Sequence, residues 1–205
     1  MEHNVLAAVE SAKNLFFTGK IFAYPTDTIY GLGANPFNQQ AVLKLNLVKK
    51  RDLDKQYIFL VGSIDILRKY ISVVDENHYD FLISIWPNPI SVVLNLNKDI
   101  STSLGIEKAA FRIPNNAFCL KFLNETKMPL ISTSVNRRDD TPLNDAGMIQ
   151  MEFMNEIDAI FVSKKKSMNC GSTLIDLTGN IPVLIREGKI RFEDILTRFH
   201  EHENT

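Results

Sequence analysis

The sequence predicts an α/β (α+β) domain: a twisted mixed sheet of parallel and antiparallel strands with flanking helices. Three observations carry this. Apolar residues recur at helical spacing near the start of the chain, compact β-type runs alternate with those stretches, and further short runs crowd together later, too many for a helical bundle.

The elements follow in order. Val5, Ala8, Val9, Ala12, Leu15 and Phe16 predict a helix over 5–18, with Asn4 as its N-cap and Gly19 as its stop. "KIFAYPT" reads as a short buried strand that Pro25 interrupts, and residues 26–36 as a turn. From a cap at Asn38, the residues Ala41, Val42, Leu45 and Val48 predict a second helix, which delivers Lys49 to Arg51 at its C-terminal end. "YIFLVG" is a strand, and Ser63 caps a helix over "SIDILRKYI". Residues 77–86 form a helix up to "WPNP", and "ISVVLNL" is the next strand. "AAFRIP", "PLISTSV", "AIFVS", "STLIDLT" and "PVLIRE" are further strands, and a last helix over 191–201 gives way to a polar tail from about residue 200.

Composition bounds the function. The 205 residues are 45% hydrophobic and 23% charged, the usage of an ordinary globular domain, and no linker or repeat divides residues 1–205. With 23 basic and 24 acidic side chains the net charge is −1, so an anion site must be local. Cys119 and Cys170 are far apart and outside any CxxC, which suggests neither a disulfide framework nor a metal knuckle and fits a reducing cytoplasm. The histidines at 3, 78, 200 and 202 form no metal-ligand motif, so no protein-held metal is expected. Glu2 and Glu10 interrupt the N-terminus, and no run approaches the ~20 apolar residues of a membrane span, so neither secretion nor membrane insertion is expected.

Several stretches carry candidate chemistry. "YPTDTIYGLGAN" joins a strand end to Gly31 and Gly33 and to the hydroxyls of Thr26, Thr28 and Tyr30, which suits either a small polar ligand or a tight structural turn. In "KKRDLDKQYIFLVG" the cations Lys49, Lys50, Arg51 and Lys55 outnumber Asp52 and Asp54 where a helix meets a strand; they form a solvated helix end or an anion site. "LISTSVN" sets Ser132, Ser134 and Asn136 at alternate positions, so their side chains share one side of a strand. Ser172 and Thr173 follow Gly171, and Arg112 and Arg186 sit on apolar strands, where a guanidinium needs an internal carboxylate or a bound anion. No serine or cysteine lies in a nucleophile elbow.

Taken together, "YPTDTIYGLG", "KKRDLDK", "WPNPISVVL", "FRIPNN", "STSVN", "GSTLIDLTG" and "LIREGKI", in this order from about residue 20 to about residue 190, resemble the threonylcarbamoyl-AMP synthase family. The resemblance implies a YrdC-like fold with a concave basic cleft, in the family's short single-domain form. It implies a nucleotidyltransferase that joins L-threonine, bicarbonate and ATP into threonylcarbamoyl-adenylate with release of pyrophosphate, for threonylcarbamoyladenosine modification of tRNA. Carried over by residue, Thr28, Arg112, Ser132 and Ser172 would hold threonine or its carbamate. Arg51, Lys55, Ser134, Asn136 and Arg186 would contact ATP, and Lys49 and Arg51 would be catalytic. Mg²⁺ would arrive on ATP, tRNA threonylcarbamoyl-transferase proteins would take the product, and RNA binding would be weak. The chain departs from the family pattern at Asp52 and Gly171, where proline is usual, at Asn88, where glycine is usual, and in "RIPNN", which lacks the usual histidine after the RxP segment. Rival readings of the same fold are an RNA-binding module and a carbamoyl-transfer domain.

Overall fold

The computed structural model describes residues 2–50, 57–73, 75–138, 140–163 and 170–203. Its backbone is one mixed sheet with helices on both faces. In chain order the elements are α1 (Glu2–Phe17), β1 (Phe22–Tyr24), β2 (Gly31–Ala34), α2 (Gln39–Lys49), β3 (Ile58–Leu60), α3 (Ile64–Leu67), β4 (Ile71–Ser72), α4 (Asn77–Ile85), β5 (Ile90–Leu96), α5 (Lys98–Leu104), β6 (Lys108–Arg112), α6 (Ala117–Thr126), β7 (Leu130–Ser134), α7 (Ala146–Phe153), β8 (Ala159–Ile160), β9 (Thr173–Asp176), β10 (Val183–Arg186) and α8 (Phe192–Glu203). The strands lie in the order β10-β9-β5-β6-β3-β7-β2-β1-β8, and β4 pairs with β5. β3–β6, β5–β9 and β1–β8 are parallel, and the other ladders are antiparallel.

The two-residue period of the strands explains the layering. Phe22 and Tyr24 of β1, Leu60 of β3 and Leu130 of β7 pack with Val9, Ala12 and Phe16 of α1 and with Phe118, Phe122 and Leu123 of α6. Their neighbours Ala23, Phe59 and Ile131 turn to the other face, into the larger core with Ala41 and Leu45 of α2, Phe81 and Leu82 of α4, Phe153 of α7 and Phe199 of α8. A sheet buried on both sides reads as continuous apolar runs, which is why the strands carried little alternation.

Local chemistry sets the element ends. The side chains of Asn38 and Ser63 accept from the backbone N–H of Ala41 and Ile66, capping α2 and α3 as expected, and Gly19 follows α1 with φ +71°. Other expectations need correction. Helix α1 begins before Asn4, which therefore lies inside it. Within 26–36, β2 pairs with β1 and β7, so a strand divides the expected turn, which remains only before Gly31 and after Ala34. Helix α3 is four residues long because Ile71 and Ser72 are drawn into pairing with Leu96 and Asn95 of β5. Helices α5, α6 and α7 appear where no helix was read, capped by Asn97, Asn116 and Asp145. Helix α8 continues to Glu203, across most of the expected tail, with Ile195 and Phe199 buried in the core.

Phe122 is fully buried between α1 and the sheet, edge-on to Phe16 at 5.4 Å between ring centres. Its replacement by alanine is expected to cost about 3–5 kcal/mol in urea unfolding, whereas Leu47→Ala, at a position 77% exposed, stays within ~0.5 kcal/mol of the parent.

Candidate active site

The site begins with one antiparallel ladder. β2 and β7 pair with Gly31 opposite Ser134 and Gly33 opposite Ser132, so two hydroxyls and two glycines share a face. Beneath them lies the Tyr24 ring. A Cβ at Gly31 would stand 2.9 Å from Ser132 Oγ and 3.1 Å from Tyr24 Cζ, so close approach, rather than a positive φ, demands the glycine. The face opens into a cleft of about 450 Å³, lined by Thr26, Thr28, Arg112, Ser132, Ser134, Ser172 and Arg186 among others.

Arg112 ends β6 at 4% exposure and defines the cleft floor. Its Nη1 donates to Thr28 Oγ1 at 3.1 Å, and its Nη2 stands 3.4 Å from Asp27 Oδ1. The direction of the hydroxyl chain then follows from proton counting. Thr26 Oγ1 spends its single proton on Ile29 O at 2.7 Å, so in the 2.9 Å contact between the two threonine hydroxyls Thr28 is the donor. Thr28 Oγ1 is left with one unused lone pair, and it can accept from a ligand but cannot donate.

The facing wall is built by β9, β10 and the loop after β10. Ser172 Oγ lies 2.8 Å from Ser91 Oγ of β5, both buried. Gly188 N donates to Thr173 Oγ1 at 3.0 Å, and a Cβ on Gly188 would meet the Ser172 carbonyl carbon at 2.4 Å, so only glycine permits this close approach. A bulge between Leu184 and Arg186 sets Arg186, rather than Ile185, opposite Leu174, another lining residue. Arg186 is exposed and donates from Nη2 to Ser172 O at 3.1 Å.

Lys49, at 5% exposure, closes the back of the wall. Its Nζ donates to Ser134 O at 2.7 Å and to Asn136 Oδ1 at 2.6 Å, and Ser134 Oγ donates to the same amide oxygen at 2.6 Å. Asn136 Nδ2 donates to the carbonyls of Arg137 and Asp140. Next in sequence, Arg137 donates to Val48 O at 2.7 Å and pairs with Glu156, whose carboxyl it holds below the usual range through that hydrogen bond. The end of α2 is thus locked to the turn after β7.

Of the residues singled out in the sequence, Thr28, Arg112, Ser132, Ser134, Ser172 and Arg186 meet in the cleft, while Lys49 and Asn136 are joined to it through Ser134. Arg51 and Lys55, with Asp52, lie outside the described residues. Arg112 has the internal carboxylate that the pattern demanded, and the cleft as well. Asn88 serves in place of glycine without a positive φ, and its Nδ2 donates to Ile85 O at 2.9 Å. The sequence reading missed Asp27, Ser91, Tyr57, Cys170 and Glu187. Ser91 alone left a signal, as a lone hydroxyl inside an apolar strand. Among the described residues no group of three or more His, Cys, Asp or Glu is placed to hold a metal ion, and no helix is long and apolar enough to cross a membrane.

A mixed sheet with helices on both faces, gathering hydroxyls and two arginines in a cleft at its strand ends, defines a class of α/β proteins. The particular class is given by comparison: the Sua5/YciO/YrdC family model, described as "Telomere recombination", matches residues 14–188, and the chain belongs to this family. Threonylcarbamoyl-AMP synthase of Pyrococcus abyssi is 29% identical over 179 residues, 86% of this chain and 53% of the relative, and the Bacillus subtilis enzyme is 27% identical over 91% and 55%. The chain therefore spans about half the length of these relatives. The crystal structure of P. abyssi Sua5 complexed with L-threonine superposes with a TM-score of 0.85 at 28% identity, over 94% of this chain and 57% of that one. E. coli YciO shares the fold at a TM-score of 0.83 and 21% identity, over 93% of both chains.

Two expectations follow. Lys49→Met removes the ammonium donor from Ser134 O and from Asn136 Oδ1, which keeps only the Ser134 hydroxyl, and thermal unfolding should show a loss of about 1–3 kcal/mol. Burial pushes the Cys119 thiol well up while Cys170 is exposed, so a thiol-specific disulfide reagent should titrate one cysteine in the native protein and two after denaturation.

Proposed function

We propose that this chain is an L-threonylcarbamoyl-adenylate synthase. The observation that carries the reading is the convergence of Thr28, Arg112, Ser132 and Ser172 with Ser134 and Arg186 on one cleft, in a family whose relatives bear that activity as their name.

The chemistry asks for positioning. The amine of L-threonine and bicarbonate give a carbamate and water; a carbamate oxygen then attacks the α-phosphorus of ATP, and the bond to the bridging oxygen breaks as pyrophosphate leaves with the electron pair. The nucleophile is already an anion, so alignment and charge stabilisation, rather than a strong base, lower the barrier. Thr28 accepts from the donors of threonine, and the hydroxyls of Ser132 and Ser172 complete that end. Arg186 serves the phosphates together with Arg51 and Lys55, Ser134 binds the nucleotide, and Lys49 and Asn136 fix the turn that carries Ser134. Glu187 and the hydroxyls lining the cleft are oxygen donors that fit the water shell of a Mg²⁺ arriving on the triphosphate. Such a cation neutralises phosphate charge. The product would pass to tRNA threonylcarbamoyl-transferase proteins in the cytoplasm.

Incubated with ATP, Mg²⁺, bicarbonate and L-threonine, the protein is expected to release pyrophosphate in a manner that requires both bicarbonate and L-threonine. Release that is indifferent to either would sink the synthase reading.

A further inference from the structure

Behind the cleft floor, set back from the lining residues, stands a carboxylate to which the proposed reaction assigns no role. The Asp27 side chain is 7% exposed, is not among the residues lining the cleft, and among the described residues has one ion-pair partner, Arg112. Among the described residues neither of its oxygens accepts a hydrogen bond, and Nε of Arg112 donates none. The contact at 3.4 Å is therefore an ion pair beside the guanidinium rather than a fork locked onto it. Arg112 is held between two different groups: an anion behind it, and the neutral hydroxyl of Thr28 on the cleft side.

A guanidinium 5% exposed would, without that anion, be an uncompensated buried charge facing a cavity. It would attract any anion small enough to enter, including the phosphates of ATP. Arg186, exposed on the opposite wall, has no comparable carboxylate contact among the described residues and keeps its charge for phosphate. The two arginines of the cleft thus differ in net field although they carry the same charge.

We infer that Asp27 is a positioning and specificity-determining residue for the amino-acid end of the cleft. It offsets the charge of Arg112 from behind and steadies Nη1 on Thr28, so this end presents a guanidinium of reduced field beside the hydroxyls to a zwitterionic amino acid, instead of a bare cation to inorganic anions and phosphates. The inference rests on the synthase reading for the identity of the amino acid, but its electrostatic part does not.

Sulfate is the probe, followed by calorimetry on the folded full chain. Asp27→Asn, close in shape and neutral, is expected to bind sulfate about tenfold or more tightly than the parent, the size of one hydrogen bond to a charged group. Adding Arg112→Gln abolishes that gain, and Asp27→Glu, which keeps the charge, shows none. An Asp27→Asn protein with the sulfate affinity of the parent overturns the inference, since a purely structural Asp27 would lower stability without creating an anion site. L-threonine supplies the second arm: in Asp27→Asn its binding weakens by about tenfold and becomes competitive with sulfate, while ATP binding stays within about twofold. Failure of the parent itself to bind L-threonine would count against the synthase reading and leave the sulfate arm to judge Asp27. If Asp27→Asn does not fold, the doubly neutral Asp27→Asn/Arg112→Gln protein is expected to recover a cooperative melt, and failure to recover it refutes the pairing.

Discussion

The guanidinium of Arg112 is the group on which the cleft is organised. A cation at 4% exposure in the middle of a sheet is costly unless its charge and its donors are met. Here Asp27 meets the charge and Thr28 takes a donor. Because that donor fills one lone pair of Thr28, and because Thr26 sends its proton to a carbonyl, both hydroxyl protons are committed within the protein. Thr28 is thereby left as an acceptor toward a ligand, whereas Thr26, which also accepts from Thr28 N, is saturated. The same low dielectric that makes Arg112 expensive makes this polarity hard to reverse.

The sheet provides the place for that group. Arg112 leaves β6 where β6 runs parallel to β3, and β3 runs antiparallel to β7, so Ser132 and Arg112 lie on the two strands that flank β3. β2 adds Gly31 and Gly33 opposite the two serines, and the Tyr24 ring fills the space beneath that glycine side chains would take. On the far wall the bulge in β10 turns an arginine toward the cleft in a strand whose plain register would have offered isoleucine. These placements depend on register, and a shift of one residue would reverse each of them.

What was legible in the sequence follows from this difference between local and long-range causes. Caps at Asn38 and Ser63, the stop at Gly19 and the strand runs are local, and they read correctly. Helix α6 is equally local, with Asn116 as its cap and Phe118, Cys119, Phe122 and Leu123 on one buried face, so its signal is present in the sequence. The short α3 was not legible, because only pairing with β5 decides that Ile71 leaves the helix. In the site, the alternation of Ser132, Ser134 and Asn136 declared itself. Asp27 did not: in "PTDT" an aspartate between threonines is ordinary turn chemistry, and only the packing of β6 beside that turn gives it a buried cation to balance.

The two ends of the cleft also differ in what holds them. The inner end is buried, with Thr28, Arg112, Ser132 and Ser172 all under a tenth exposed. Arg186 sits at the rim, exposed on an edge strand where water and salt screen its charge. Screened charges steer a polyanion without fixing it, whereas buried hydroxyls fix a small ligand by shape and direction. Under the proposed reaction this asymmetry orders the partners: the amino acid is set in a rigid, nearly neutral end, and the triphosphate is drawn to a cationic rim. The carbamate oxygen and the α-phosphorus then meet where these two fields join, near Ser134, whose carbonyl and hydroxyl are tied to the Lys49 and Asn136 clasp.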